Sequence, residues 1–204
     1  MNDLIIIGAS GHGKVVADIA EINGYLNIMF LDDNPEVKVC GNYPVVGGCK
    51  EAIKYKEADF VVAIGNNNIR RKIQTELVEA GLNIVSVIHP DAVVAKSVCV
   101  GAGTVITAGT VINPDAKIGQ GCIINTCSSV DHDCNVGDFV HISVGAHIAG
   151  TVEIGDNTWI CAGVTVSNNV NITSGCMIGA GAVVINDLTE SATYIGVPAK
   201  KKNS

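Results

Sequence analysis

Hydrophobic residues in the C-terminal half of this chain return at every sixth position. Val94, Val100, Ile106, Ile112, Ile118, Ile124, Val130, Val136, Ile142, Ile148, Ile154, Ile160, Val166, Ile172, Ile178 and Val184 are sixteen successive positions of this series, and each is Val or Ile. Neither the 3.6-residue period of a helix nor the two-residue alternation of a strand produces an unbroken six. The neighbours repeat as well. The next position is often a turn former, as at Gly101, Asn113, Gly119, Asn125, Asp131, Gly137, Gly155 and Gly179, residue types that tolerate unusual backbone angles at corners. Two positions before the aliphatic stands a small or β-branched residue, among them Thr104, Ala116, Cys122, Ser128, Cys134, Val140 and Cys176. Six residues hold a short strand and a corner, and three such units close one triangular coil with Val and Ile stacked along its axis. The period therefore predicts a left-handed parallel β-helix of hexapeptide repeats, about five coils long, from 94 to 184.

The first 88 residues lack this period and alternate strand with helix. Leu4 to Ile7 reads as a buried strand, followed by the Gly-rich turn Gly8-Ala9-Ser10-Gly11-His12-Gly13 and a helix from Lys14 to Ile22 with an apolar face. Ile28 to Leu31 is a second strand, ending in Asp32-Asp33. Phe60 to Ile64 is a third, ending in Gly65-Asn66. A helix over Ile69 to Ala80 is expected to be capped by Asn68 and closed by Gly81, and a fourth strand to run from Ile84 to Ile88. This order builds a Rossmann-like α/β parallel sheet. The expected organisation is thus a Rossmann-like domain over 1–88, a β-helix over 89–187 and a tail over 188–204, with Lys200-Lys201-Lys202 solvated.

Ligands of open parallel sheets sit beyond the carboxyl ends of the strands. Those ends carry Gly8, Ser10, Gly11, Asp32, Asp33, Gly65 and Asn66, a candidate nucleotide site. Gly8 to Lys14 nearly spells a phosphate-binding G-x4-G-K loop, but Val15 stands where the magnesium-binding hydroxyl belongs, and the G-x-G-x-x-G dinucleotide pattern is absent. The loop is either a phosphate cradle at a helix N-terminus or a tight strand-to-helix turn. Asp32-Asp33 either bonds a ribose or base N–H groups or opens a solvated turn.

Composition narrows the classes. The 204 residues are 48% hydrophobic but only 4% aromatic, so the core must be aliphatic. A net charge of −7 argues against nucleic acid as a partner. The start, Met1-Asn2-Asp3-Leu4, has no charged leader and no apolar run reaches membrane-spanning length, so no membrane is expected. Eight cysteines without a CxxC pair fit a reducing cytoplasm, with most of them small buried fillers.

Five histidines are candidates for chemistry. His132 follows a corner and has Asp131 and Asp133 on either side; a carboxylate there would orient the imidazole and stabilise its protonated form, as a general base needs. The alternative is a surface histidine between corner acids. His141 precedes Trp159 by eighteen residues, one coil, so the two share a face; they either stack or line a groove for a long cofactor. His147 has the same outward phase. No pair of histidines has the spacing of a compact metal site, and no metal is expected.

Together these segments resemble bacterial nucleotide-sugar N-acetyltransferases of the bacillosamine type, within the NeuD-like sugar O-acyltransferase family of hexapeptide-repeat transferases. The resemblance rests on the 8–13 loop, Phe30-Leu31-Asp32-Asp33, Ala63-Ile64-Gly65-Asn66-Asn67, the 125–134 segment, His141 to Ala146, and Gly196 to Lys200. It implies a homotrimer with active sites between subunits, a nucleotide sugar on the N-terminal domain, and acetyl-CoA along the β-helix. It implies His132 as catalytic base oriented by Asp133, where the family commonly has Glu. It further implies His12 and Asn125 at the acceptor, and His141, Gly150, Ala162 and Ala180 along the acetyl-CoA path. The expected reaction is direct acetyl transfer to the amine of a UDP-4-amino-4,6-dideoxy sugar. Two rivals stay open at this point: O-acetylation of a sugar acid such as sialic acid, and a catalytically inactive trimeric scaffold.

Overall fold

A computed structural model describes residues 3–202. Met1 and Asn2 of the N-terminal segment are outside the described residues, as are Asn203 and Ser204 of the expected tail. No helix among the described residues is long and apolar enough to cross a membrane.

The N-terminal sheet has the strand order β3-β4-β2-β1-β5-β6, with β1 over Leu4–Ile7, β2 over Ile28–Leu31, β3 over Val39–Cys40, β4 over Tyr43–Gly47, β5 over Asp59–Val62 and β6 over Asn83–Ile84. All pairings are parallel except β3 with β4, which form an antiparallel edge. Strands β1 and β5 are buried along their whole length, which is why, Asp59 excepted, they read as apolar runs rather than alternations. Helix α1 spans Gly11–Ile22 and packs Val16, Ile19 and Ala20 on one side of the sheet. Helix α2 spans Asn67–Glu79.

Both helices begin earlier than expected. α1 starts at Gly11 rather than Lys14, so half of the Gly-rich turn, residues 11–13, is already its first turn. α2 starts two residues ahead, and its cap is Asn66, whose side chain accepts from Ile69 N at 3.1 Å, not Asn68. The strand expected over 84–88 is two strands: Asn83–Ile84 closes the first sheet, while Val87–Ile88 pairs with Val105–Ile106 and opens the β-helix. The β-helix thus begins at Val87, ahead of the boundary expected at 89.

From there the chain winds a three-sided prism. One face stacks Val87–Ile88, Val105–Ile106, Ile123–Ile124, His141–Ile142, Trp159–Ile160 and Met177–Ile178. The second stacks Val93–Val94 through Val183–Val184, and the third Cys99–Val100 through Asn171–Ile172. Rungs between these strands pair residues eighteen apart, as Ile124 with Ile142 and Ile142 with Ile160. The repeating aliphatics from Ile106 to Val184 point inward and are at most 3% exposed. Thr104, Thr110, Ser128, Cys122, Cys134 and Cys176, in the slot two positions earlier, are also buried. Truncating one inward residue, Ile142→Ala, is expected to cost about 2–5 kcal/mol, because the rungs above and below hold the cavity open; urea denaturation would measure it.

The corners differ from expectation. The left-handed backbone falls three residues after each aliphatic, not one, at fourteen corners from Gly103 to Gly181, of which seven are Gly and seven are not, Asp133 and Cys127 among the latter. The glycines directly after the aliphatics serve close approach instead: a Cβ on Gly119 would lie 2.6 Å from Gly137 C in the next coil. The expected solvated tail is also corrected. Thr193–Ile195 extends the first face, Lys200–Lys201 pairs back on it antiparallel, and Lys201 bonds Glu190 at 2.6 Å, although the three lysines remain exposed.

Candidate functional site

The corner between the second and third faces, residues 131–134, holds the first group of expected site residues. Asp131 Oδ1 accepts from His132 N and from Asn113 Nδ2, each at 2.8 Å, which fixes the start of the turn. Asp133 then takes the left-handed conformation (φ 58°), and its Oδ2 comes 2.8 Å from His132 Nδ1. That contact makes Nδ1 the protonated nitrogen and leaves the Nε2 lone pair for chemistry. The Asp133 hydrogen bond, aided by the charges of Asp131 and Asp133, raises the His132 pKa above its ordinary value. One coil on, Thr151 N donates to His132 O at 2.9 Å, and the imidazole lies over Gly150, where a Cβ would fall 2.6 Å from Nε2. A side chain at 150 and the ring of His132 cannot share this space.

A second group meets where the N-terminal domain rests on the first face. His12, in the first turn of α1, and His141, on a first-face strand, lie close enough for their charges to oppose one another. His141 is 8% exposed and stacks on Trp159 with ring centroids 5.3 Å apart and planes within 10°; Trp159 Nε1 in turn donates to Ser143 Oγ at 2.9 Å. Burial first, and the nearby Arg70 second, push His12 down to about 4 and His141 to about 3, so both are neutral at physiological pH. Neither ring nitrogen of His141, nor Nε2 of His12, makes a well-formed hydrogen bond within the chain. Buried nitrogens of this kind normally have a partner, so these three atoms mark an unsatisfied polar spot at the junction of the two domains.

Arg70 itself was not legible as a site residue. It is fully buried in α2, and its five N–H groups reach Ile64 O (2.8 Å), Gly65 O (3.1 Å), Asn67 Oδ1 (3.0 Å), Gly121 O (2.6 Å) and Phe139 O (3.0 Å). Asn67 and Gln74 on the same helix also bond prism carbonyls, at Asn157, Thr158 and Ala102. The signal in the sequence was a polar stripe at 67, 70 and 74, helical spacing for one face.

The third group lies at the carboxyl ends of β1, β2 and β5. Gly8 (φ 107°) turns the chain tightly against Ala63, and a Cβ on Gly13 would strike Gly8 O, so the glycines of this loop serve the turn itself. Asp32 spends both oxygens on backbone, accepting from Ala9 N (2.7 Å) and Asn34 N (2.9 Å). It ties the Gly8–Ser10 loop to the end of β2. Asp33 accepts from Cys49 N at 2.8 Å and sits between two clefts, of about 410 and 510 Å³. Gly65 and the capping residue Asn66 complete this edge, next to Arg70. A further concavity of about 610 Å³, on the third face, is lined by Glu153, Asp156, Asn171 and Asp187 and contains none of the expected site residues.

The expected residues do not all meet within one chain. His132, Asp133 and Gly150 share the second-to-third corner, whereas Asn125, Ala162 and Ala180 stand at the first-to-second corner, a full second-face strand away. Among the described residues, no group of three or more His, Cys, Asp or Glu is placed to hold a metal ion.

Residues 3–77 match the family described as the PglD N-terminal domain. Over 113 residues the chain is 32% identical to the UDP-N-acetylbacillosamine N-acetyltransferase of Bacillus subtilis (strain 168), a match covering 53% of this chain and 52% of that protein. The chain thus spans about half the length of this curated relative. The acetyltransferase domain of PglB from Neisseria gonorrhoeae FA1090 is 39% identical, with a TM-score of 0.94 over 99% of this chain and 100% of that one. That domain has also been solved in complex with acetyl coenzyme A (40% identity, TM-score 0.94, 98% and 99% covered). PerB from Caulobacter crescentus, solved with CoA and GDP-perosamine, is 37% identical with a TM-score of 0.95 over 100% of this chain and 98% of that one.

Proposed function

We propose that this chain, which belongs to the sugar N-acetyltransferases of the hexapeptide-repeat family, moves an acetyl group from acetyl-CoA to the amine of a nucleotide-linked amino-deoxy sugar. The observation that carries this reading is the His132–Asp133 pair, whose carboxylate contact at Nδ1 leaves Nε2 as a base over the side-chain-free Gly150. The sugar nitrogen attacks the thioester carbon, and Nε2 takes the proton that the nitrogen gives up as the C–N bond forms. A backbone N–H beside Gly150 stabilises the oxyanion. The C–S bond then breaks, the amide remains on the sugar, and the thiolate of CoA recovers the proton. Asp133 holds the ring and stabilises its charged form. Holding both substrates in one cleft supplies much of the rate.

The acceptor's nucleotide occupies the edge formed by the 8–11 loop, Asp33, Gly65 and Asn66. Its sugar reaches the junction at His12, and UDP-4-amino-4,6-dideoxy-N-acetylglucosamine is the acceptor we favour. A homotrimer supports this arrangement. Packing prisms side by side brings the Asn125, Ala162 and Ala180 corner of one copy to the His132 corner of the next, and acetyl-CoA runs along the seam with His141.

Turnover of acetyl-CoA with UDP-, dTDP- and GDP-linked 4-amino-4,6-dideoxy sugars, followed as released thiol, tests the reading. Turnover with one of them is the expected result. None with any, in a protein that binds acetyl-CoA, would point to another acceptor. The pH profile tests His132. Because Asp133 raises its pKa, the base is fully neutral only above that raised value, and activity falls as pH drops through it. In Asp133→Asn the imidazolium loses its main support. The acid limb of kcat/KM should therefore move to lower pH, with a smaller loss of kcat than removal of His132 causes.

A further inference from the structure

A fully buried arginine without a carboxylate partner is an unusual feature, because an unpaired charge is costly to remove from water. Arg70 carries its charge at neutral pH, since burial lowers its pKa only to about 10. All five of its donors are used, and none goes to an acid. Two of its bonds end on Ile64 and Gly65, in the turn that follows β5. Two end on Gly121 and Phe139, stacked left-handed corners of the prism. Among the described residues His141, on the prism, also lies against the Gly65 backbone, but only Arg70 bonds the turn and the Gly121 and Phe139 corners together. Asn67 and Gln74 bond the prism but not the Ile64–Gly65 turn, and Arg71, which meets Asp156 at 3.4 Å, lies half-exposed at the rim. A neutral side chain could dock two domains at less desolvation cost. The planar fork of a guanidinium fixes three backbone segments in one geometry.

We propose that Arg70 is a positioning residue for the acceptor: it locks the Ile64–Gly65 turn to the prism corners at Gly121 and Phe139 and so sets the reach of the bound nucleotide sugar toward the reaction centre. The proposal rests on the acceptor site given above. Arg70 touches neither substrate. It acts through Gly65 and Asn66, and its charge adds to burial, the larger cause, in keeping the neighbouring His12 and His141 neutral.

Lysine keeps the charge but cannot span the three segments, so Arg70→Lys is the variant to make. The KM for the nucleotide sugar is expected to rise about tenfold or more, the effect of losing charge-assisted bonds to the turn. The KM for acetyl-CoA should stay within about twofold, because its path along the prism lacks this contact. Without any substrate, amide hydrogen exchange across 64–69 should quicken by about tenfold. Gln74→Ala, which loosens the same junction at Ala102 without touching the turn, should leave both KM values and the 64–69 exchange unchanged. Equal rises in both KM values, unchanged exchange at 64–69, or the same split in Gln74→Ala would overturn the proposal. If Arg70→Lys does not fold, Asn67→Ala, which removes one acceptor of the fork, should show the same split at about threefold, and its absence would be equally decisive. A wild-type protein that turns over no nucleotide sugar would instead sink the acceptor assignment, and the exchange measurement would then decide the role of Arg70 alone.

Discussion

His132→Ala is expected to lower kcat by about 10²–10⁴-fold, the contribution of a positioned general base, while the KM for acetyl-CoA stays near its wild-type value. The side chain is 58% exposed and bonds only Asp133, so the protein should remain folded, with a melting temperature close to that of the wild type. Loss of activity without loss of fold separates a base from a structural histidine. His132→Gln sharpens the test, because glutamine can hydrogen-bond but cannot carry a proton away. If either variant keeps more than about a tenth of wild-type kcat, the proton is taken by another group or by water, and the assignment of His132 fails.

Gly150→Ala is expected to have the second-largest effect on rate, and it isolates geometry from chemistry. The added methyl would sit 2.6 Å from His132 Nε2. The obstructing atom is the far end of a side chain rather than backbone, and the backbone at 150 suits alanine. The ring therefore swings aside at little cost to stability, but it loses its place. A displacement of about 1 Å at a reacting group costs on the order of 10² in rate, and kcat should fall by about that factor. The melting temperature should hardly move. Unchanged kcat would mean that Nε2 works from another rotamer and that the space over Gly150 is incidental.

The prism was legible because each rung repeats one demand, an aliphatic side chain facing an axis, and repetition makes chance agreement negligible. Its corners were only half legible. The left-handed residue falls on Gly103, Gly109 and Gly121 but equally on Asp115, Cys127 and Phe139, since hydrogen bonds from the adjoining coils hold the backbone there whatever the side chain. The β3–β4 edge carries Pro44 and no alternation, and nothing in its pattern announces a strand. The same contrast runs through the site. His132 stood out because acids flank it in sequence. The junction of His12, His141 and Arg70 joins residues 58 to 129 positions apart, and that closeness depends on how two domains dock. Asp32 teaches the converse: it lay where a ligand contact was expected, and the structure gives both its oxygens to the backbone.

The eighteen-residue rung spacing also limits how this chain can change length. Every inner rung between Val87 and Val184 takes its partners from the coils above and below. Deleting one residue inside a coil turns each later aliphatic away from the axis until a bulge absorbs the slip, whereas adding a whole coil leaves every later side chain facing the same way. The prism can therefore lengthen by duplication of complete turns, while single-residue insertions and deletions are confined to loops that leave the corners. Such quantised growth keeps His132 and Gly150 in vertical register even as the distance between the N-terminal domain and the far end of the prism is free to vary.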